Sequence, residues 1–268
     1  MSVISIFAIV FEKELNALMY KVGIISYTNV LPFLYGLRFL QNIELVDIYP
    51  SMLSEYFFDG QMEVALLPIG KLIGRGDVEI ISDYCIGSVG KVDSVCLFSN
   101  VKKEYLNKIV LDYQSETSVR LVQVLGKEYW KLNNVEYVRA KSRDYFNEVS
   151  DGTGVVVIGD RTFDLDKRFK YVYDLSEEWY MFTGLPFVFA VWVKRKDTIL
   201  SESFLSDFNK ALGKGMNKIQ DVIKFFDIEK EKEDYIKFYL TKRISYVLDE
   251  NKIKAIRLFS EYVKKLGL

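Results

Sequence analysis

From residue 19 to about residue 194, continuous apolar runs alternate with runs whose apolar residues recur every three or four positions. The first kind reads as buried strand and the second as amphipathic helix, so the pattern predicts an α/β chain with mainly parallel sheets and flanking helices. The first strand is KVGII (21–25), which stops at Ser26, Tyr27, Thr28 and Asn29. A helix carrying Leu31, Leu34, Tyr35, Leu37 and Phe39 follows, with Pro32 in its first turn, where a missing N–H costs nothing. IELVDIY (43–49) and EVALL (63–67) are further strands, each followed by a proline. Pro32, Pro50 and Pro68 therefore all lie just beyond a strand's carboxyl end, and predict rigid loops framing one rim.

A loop with Gly87 and Gly90 leads into a strand over 91–98, and a second series then runs through strand 109–112, helix 115–132, strand 135–138 and strand 154–159. GLPFVFAVWV (184–193) is the most continuously apolar run and reads as a buried strand returning to the first unit. After it the pattern is helical. Phe204, Phe208 and Leu212 form one stripe, and Ile253, Ile256, Phe259 and Val263 form another behind an Asp249 cap; both read as packing and support. The organisation predicted is an extension over 1–18, a first lobe of 19–100 with 195–268, a second lobe of 101–194, and a ligand cleft between the lobes.

The extension contains ISIFAIVF (4–11), which lacks a preceding basic residue and a small-x-small cleavage site and is too short to span a bilayer. Translation from Met19 would open directly into the first strand, so 1–18 read as a poorly ordered extension or a mis-assigned start of a cytoplasmic protein, with a genuine N-terminal strand as the alternative. Charge changes the picture by exclusion. With 36 basic and 37 acidic residues well mixed, the chain has no footprint of a nucleic-acid binder. Cys85 and Cys96 sit in apolar strands without metal or disulfide spacing, and the absence of histidine rules out a Ser-His-Asp triad, a Cys-His pair and the commonest metal ligand.

Two polar clusters are candidates for chemistry. Ser26 to Asn29 lie at a strand's carboxyl end before a helix, where ligands bind in open α/β sheets. Ser115, Glu116, Thr117 and Ser118 form the mouth of helix 115–132, with hydroxyls and free N–H groups suited to a carboxylate. Helix capping is the competing reading for each cluster, the favoured one on local evidence for Ser26 to Asn29, and local sequence leaves both open.

Several blocks in order, spanning nearly all of 19–194, resemble the chorismate dehydratases of the futalosine route to menaquinone. They are Ile25 to Asn29 with Leu31-Pro32-Phe33 and Tyr35-Gly36-Leu37; Cys85 to Ser88 with Val92, Ser94 and Val95; Leu111-Asp112 with Ser115, Thr117, Ser118 and Val119; Ile158-Gly159-Asp160; and Asp174-Leu175, Glu178-Trp179 and Thr183 to Ala190. Lys91, where the family pattern has proline, and the extension are departures. The resemblance implies a two-lobed fold like the type II periplasmic binding proteins, and a lyase that removes water from chorismate to give 3-enolpyruvylbenzoate without a redox or metal cofactor. It implies a small dicarboxylate as partner, no nucleic acid and no membrane. Carried over residue by residue, it assigns chemistry to Asn29 and Ser94, and substrate binding to Ser26, Tyr27, Thr28, Ser88, Ser115, Thr117, Ser118, Gly159 and Asp160. The two anion-binding points it calls for are placed at the mouth of helix 115–132 and in the loop from Ser88 to Ser94. Two alternatives stand beside it: a non-catalytic small-anion receptor of the same fold, for which a signal peptide or lipid anchor is expected, and a sister enzyme acting on a later futalosine-derived intermediate, for which a cleft histidine is expected.

Overall fold

The computed structural model describes residues 19–25, 27–48, 50–141, 145–163, 165 and 168–268. The extension over 1–18 and the candidate Ser26 lie outside them. Strand β1 (Tyr20–Ile24) leads through a 3-10 turn (Thr28–Val30) into helix α1 (Leu31–Leu37), with Pro32 in its first turn as expected. Strand β2 (Ile43–Asp47), helix α2 (Pro50–Phe58), strand β3 (Val64–Pro68), the short helix α3 (Ile69–Leu72) and the long strand β4 (Val78–Ser88) complete the first passage. The second unit holds β5 (Val95–Ser99), β6 (Lys108–Leu111), α4 (Thr117–Val124), β7 (Glu136–Arg139), β8 (Thr153–Ile158) and β9 (Tyr171–Asp174). Helix α5 (Leu175–Thr183) then leads back to β10 (Phe187–Arg195), and α6 (Glu202–Met216), α7 (Ile219–Phe225), α8 (Glu233–Phe238), β11 (Ser245–Val247) and α9 (Glu250–Leu266) follow.

The strands form two sheets, β11-β4-β10-β3-β1-β2 and β7-β6-β8-β5-β9. The two-lobed α/β architecture is as expected, but the pairing is mixed. β1 runs parallel to β2 and β3, and β6 parallel to β7 and β8, whereas β10 and β5 run antiparallel to both of their neighbours. These two strands are where the chain arrives from the other lobe, and a strand entering from the cleft side must run against the βαβ direction. They also shift the expected boundaries: Val95–Ser99 belongs to the second sheet and Phe187–Arg195 to the first. The crossings are consequently residues 89–94 and 175–186.

Both crossings are fastened to one carboxylate. Asp174, at 3% exposure, accepts from Val92 N (2.9 Å) and Asp93 N (2.7 Å) of the first crossing, and from Ser176 N (3.0 Å) and Glu177 N (3.1 Å) at the start of α5. It caps α5 while holding Asp93 in a left-handed conformation (φ 63°). Burial pushes its carboxyl up to about 6, against the pull of the backbone donors. The following residues of the same block are structural: the Trp179 indole donates to Pro186 O (3.1 Å), and Glu178 receives Lys103 Nζ (2.8 Å) and Trp130 Nε1 (2.6 Å).

Helix α1 crosses α6 at backbone contact. A Cβ on Gly36 would lie 1.9 Å from Ala211 O, and one on Gly215 would lie 1.7 Å from Pro32 O. This crossing fixes the loop before α1 relative to the first sheet. Ser201 and Asp249 cap α6 and α9 through Phe204 N and Lys252 N, and the Phe204, Phe208, Phe259 and Val263 side chains are buried as the stripes predict. Cys85 and Cys96 are buried free thiols.

Candidate active site

The carboxyl ends of β1 and β3 face the second lobe across a cavity of about 110 Å3. Its walls are apolar, with Leu66, Ile86 and Phe189 from the first sheet and Val95 and Ile158 from the second, and its polar groups are few and convergent. Tyr27, Asn29, Ser94, Gln114, Ser118 and Gly159 all line it, together with Ser115 and Thr117. A more open groove of about 910 Å3 runs past Lys21, Glu44, Asp47 and Tyr56 and meets the cavity at Ile25, Tyr27 and Gln114. It is larger, but its polar residues are strung along an open edge, so the narrower, less open cavity between the lobes is the better candidate.

Hydrogen bonds sort the candidate residues by what remains free. Asn29 caps nothing: Tyr27 is the cap residue of the 3-10 turn and Val30 that of α1, and neither helix start has a side-chain cap. Its carbonyl receives the Tyr246 hydroxyl (3.0 Å), and among the described residues no group bonds its side-chain amide. Ser94 accepts from the Tyr239 hydroxyl (2.8 Å), and among the described residues nothing accepts the Ser94 proton. The Ser118 hydroxyl is likewise uncommitted among them, whereas its backbone N–H donates to Ser115 Oγ (3.0 Å), so Ser115 serves as a local cap. Thr117 is committed between lobes, its hydroxyl accepting from Gly70 N (3.0 Å) and donating to Phe189 O (3.2 Å).

Thr28 and Asp160 are committed to each other. Asp160 Oδ2 accepts from Thr28 Oγ1 (2.9 Å) and Thr28 N (3.3 Å), closing the cleft from the first lobe to the second. Burial holds the Asp160 carboxyl above its ordinary range while the two Thr28 donors pull it back. Beside this latch the Tyr27 hydroxyl donates to Gln114 Oε1 (3.2 Å), and burial pushes the phenol up to about 12, so it stays a neutral donor. Gly159 has φ 68° and a Cβ there would sit 3.4 Å from the Tyr27 ring, so its role is the turn and the close approach. Ser88 is not brought to the cavity. It is fully buried at the end of β4 with its hydroxyl 2.6 Å from Ser176 Oγ, because the sheet's pleat turns it toward α5. The loop from Ser88 to Ser94 therefore offers Ser94 alone of its two serines.

Sequence reasoning missed Gln114, Tyr239 and Tyr246. Gln114 is the hub of the rim, accepting from Tyr27 and from Arg161 Nη2 (3.1 Å), while Arg161 also pairs with the fully buried Asp112 (2.6 Å) and Tyr145 donates to that carboxylate. Its position two residues after the matched Asp112 was a usable signal, since Gln114 N donates back to Asp112 Oδ1 (2.7 Å) in an Asx turn. Tyr239 opens the turn after α8 and Tyr246 lies on β11, in a stretch whose local pattern says only that it packs.

The sequence and the fold have counterparts. Residues 20–265 match the family model described as menaquinone biosynthesis. A chorismate dehydratase of Thermus thermophilus is 28% identical over 221 residues, covering 76% of this chain and 80% of the relative. Among solved structures, a protein of Archaeoglobus fulgidus superposes with a TM-score of 0.71 at 14% identity over 94% of this chain and 98% of its own. An alkanesulfonate-binding protein of Xanthomonas axonopodis, bound to MOPS, superposes at 0.66 and 12% identity over 94% of each chain. A Candida albicans protein described as having the generic periplasmic binding protein fold superposes at 0.60 and 10% identity, covering 93% and 90%. At these identities the structures speak for the fold.

Proposed function

The chain belongs to the menaquinone biosynthesis family, and from that premise we propose that it is a chorismate dehydratase, a cytoplasmic lyase of the futalosine route that converts chorismate to 3-enolpyruvylbenzoate and water. In that reaction the bond from the ring to its hydroxyl breaks with its electron pair and a ring proton is lost. The electrons of the C–H bond complete the aromatic ring, so nothing is oxidised or reduced overall. The observation that supports this most directly is the Asn29 amide, uncommitted among the described residues, in a cavity between the lobes that Ser94 and Ser118 also line. An amide donates and accepts without titrating, which suits a group that must hold a departing hydroxyl in a chain without histidine. The base in this reading is the substrate's own enolpyruvyl carboxylate, folded over the ring, with Asn29 fixing that conformer or the leaving hydroxyl and Ser94 assisting. The open end of α4 at Ser118 is the point we assign to a substrate carboxylate.

A cavity of about 110 Å3 is smaller than the roughly 300–1,000 Å3 of ordinary ligand pockets. The Thr28 to Asp160 and Tyr27 to Gln114 bonds must therefore part for substrate to enter, with residues 89–94 and 175–186 as the hinge. Incubating the purified protein with chorismate and separating the products by chromatography tests the reaction. Appearance of 3-enolpyruvylbenzoate is the expected result. Chorismate bound but unconverted would make the protein a receptor of this fold, and chorismate neither bound nor converted would remove it as the substrate.

A further inference from the structure

The turn after α8 reaches to the back of the cavity. Residues Tyr239–Arg243 form a wide, π-type turn that drives Tyr239 inward to full burial and brings Arg243 Nε to 2.5 Å from Asp93 Oδ2. Two successive residues of the first crossing, Asp93 and Ser94, are thereby gripped by one turn. The Tyr239 ring is wedged by Phe163 (centroids 5.1 Å apart) and stacked on Tyr235 (6.5 Å), so it cannot swing away from Ser94. Burial pushes its phenol far above the ordinary tyrosine value, which keeps the hydroxyl protonated as a donor.

We propose that Tyr239 is a positioning residue that sets the direction of the Ser94 proton. A serine hydroxyl has one proton and two lone pairs. Tyr239, as a phenol the stronger acid of the two, spends its only proton on Ser94 Oγ at 2.8 Å. Ser94 then cannot donate back along that line, and its own proton turns to the side of the oxygen that lines the cavity. With Tyr239 absent, Ser94 would be free to rotate its proton out of the cavity, and a donor aligned in advance would have to be ordered during the reaction. This inference rests on the dehydratase reading and extends it to a residue well outside the matched sequence blocks.

The test is a double-mutant cycle with Tyr239→Phe and Ser94→Ala, reading kcat, KM and melting temperature for each protein with chorismate. The phenylalanine keeps the ring and its packing, so Tyr239→Phe should remain folded with KM within about threefold and kcat lower by about tenfold, roughly the worth of one neutral hydrogen bond. In the Ser94→Ala background the same change should cost less than about twofold, because no serine proton is left to direct. Equal kcat losses in both backgrounds would make Tyr239 a packing residue and overturn the proposal, as would an unchanged kcat in Tyr239→Phe. If Tyr239→Phe melts too early to assay at the first temperature, all four proteins of the cycle are read together below the melting point of the least stable one, where the same unequal losses support the proposal and equal losses overturn it. A wild-type protein that leaves chorismate unchanged would fail the dehydratase reading and this inference with it, whereas an active wild type with additive losses fails the inference alone.

Discussion

Replacing Asn29 with alanine separates chemistry from architecture more sharply than the sequence allowed. Its amide has no partner among the described residues and caps neither the 3-10 turn nor α1, while its carbonyl, which the substitution keeps, is the group that holds Tyr246. Truncation should therefore cost no more than about 0.5 kcal/mol of stability, the range for side chains outside packing and hydrogen-bond networks. On a chain of this size that is a fall in melting temperature of roughly 2 °C or less. Turnover of chorismate should fall by about 10² to 10³, the usual cost of one donor aimed at a transition state, about 3–4 kcal/mol. Affinity for the product, measured by calorimetry, should stay within about tenfold. A stable variant that turns over normally would remove Asn29 from the mechanism, and a stable variant that has lost only affinity would make it a binding contact.

Four further outcomes follow from particular contacts. Thr28→Val deletes one of the two donors to Asp160 and should loosen the closed form by about 1 kcal/mol, seen as a larger radius of gyration without ligand by small-angle scattering; an unchanged radius would dismiss the latch. Asp174 has a folded-state pKa of about 6, above its unfolded value of roughly 3.9, so the folded chain holds that proton more tightly and the contribution is lost as pH rises through 6. Denaturant stability should thus rise by about 1 kcal/mol from pH 7 to pH 5, in a chain with no histidine to mask it, and Asp174→Asn should flatten that slope; a slope that persists in the variant belongs to other groups. Ser88→Ala should cost about 1 kcal/mol of stability with KM unchanged, and a raised KM in a stable variant would return Ser88 to the substrate site. Gly36→Ala would place a Cβ 1.9 Å from a helix carbonyl, so it should lower the melting temperature by many degrees or prevent folding, and a wild-type melting curve would refute the α1 to α6 contact.

What the sequence disclosed and what it hid differ in kind. Strand and helix periods are local, so β1, α1, β3 and the cap at Asp249 are read directly, and the ordered blocks from Ile25 to Ala190 carry the two-lobed fold. Apolarity alone does not give a strand's direction, so the antiparallel sense of β5 and β10 is not legible in it, although the return of β10 to the first lobe is. The same limit applies to side chains. A serine at a loop reads alike whether it faces a cavity, as Ser94 does, or another serine in the core, as Ser88 does. Hydroxyls in one cluster also divide their labour: Ser115 caps, Thr117 ties the lobes and Ser118 stays free, a division set by partners at Gly70 and Phe189 that lie far away in the chain. Tyr239 and Tyr246 are the extreme case, because a buried tyrosine advertises only its ring, and the hydroxyl's destination depends on how the lobes pack. The two cavity residues proposed for chemistry are thus held from two parts of the chain. Asn29 and Ser94 lie in short blocks of its first half, and a C-terminal segment grips the backbone of one through Tyr246 and the hydroxyl of the other through Tyr239. Substitutions in that segment should therefore change turnover while leaving every residue that lines the cavity in place.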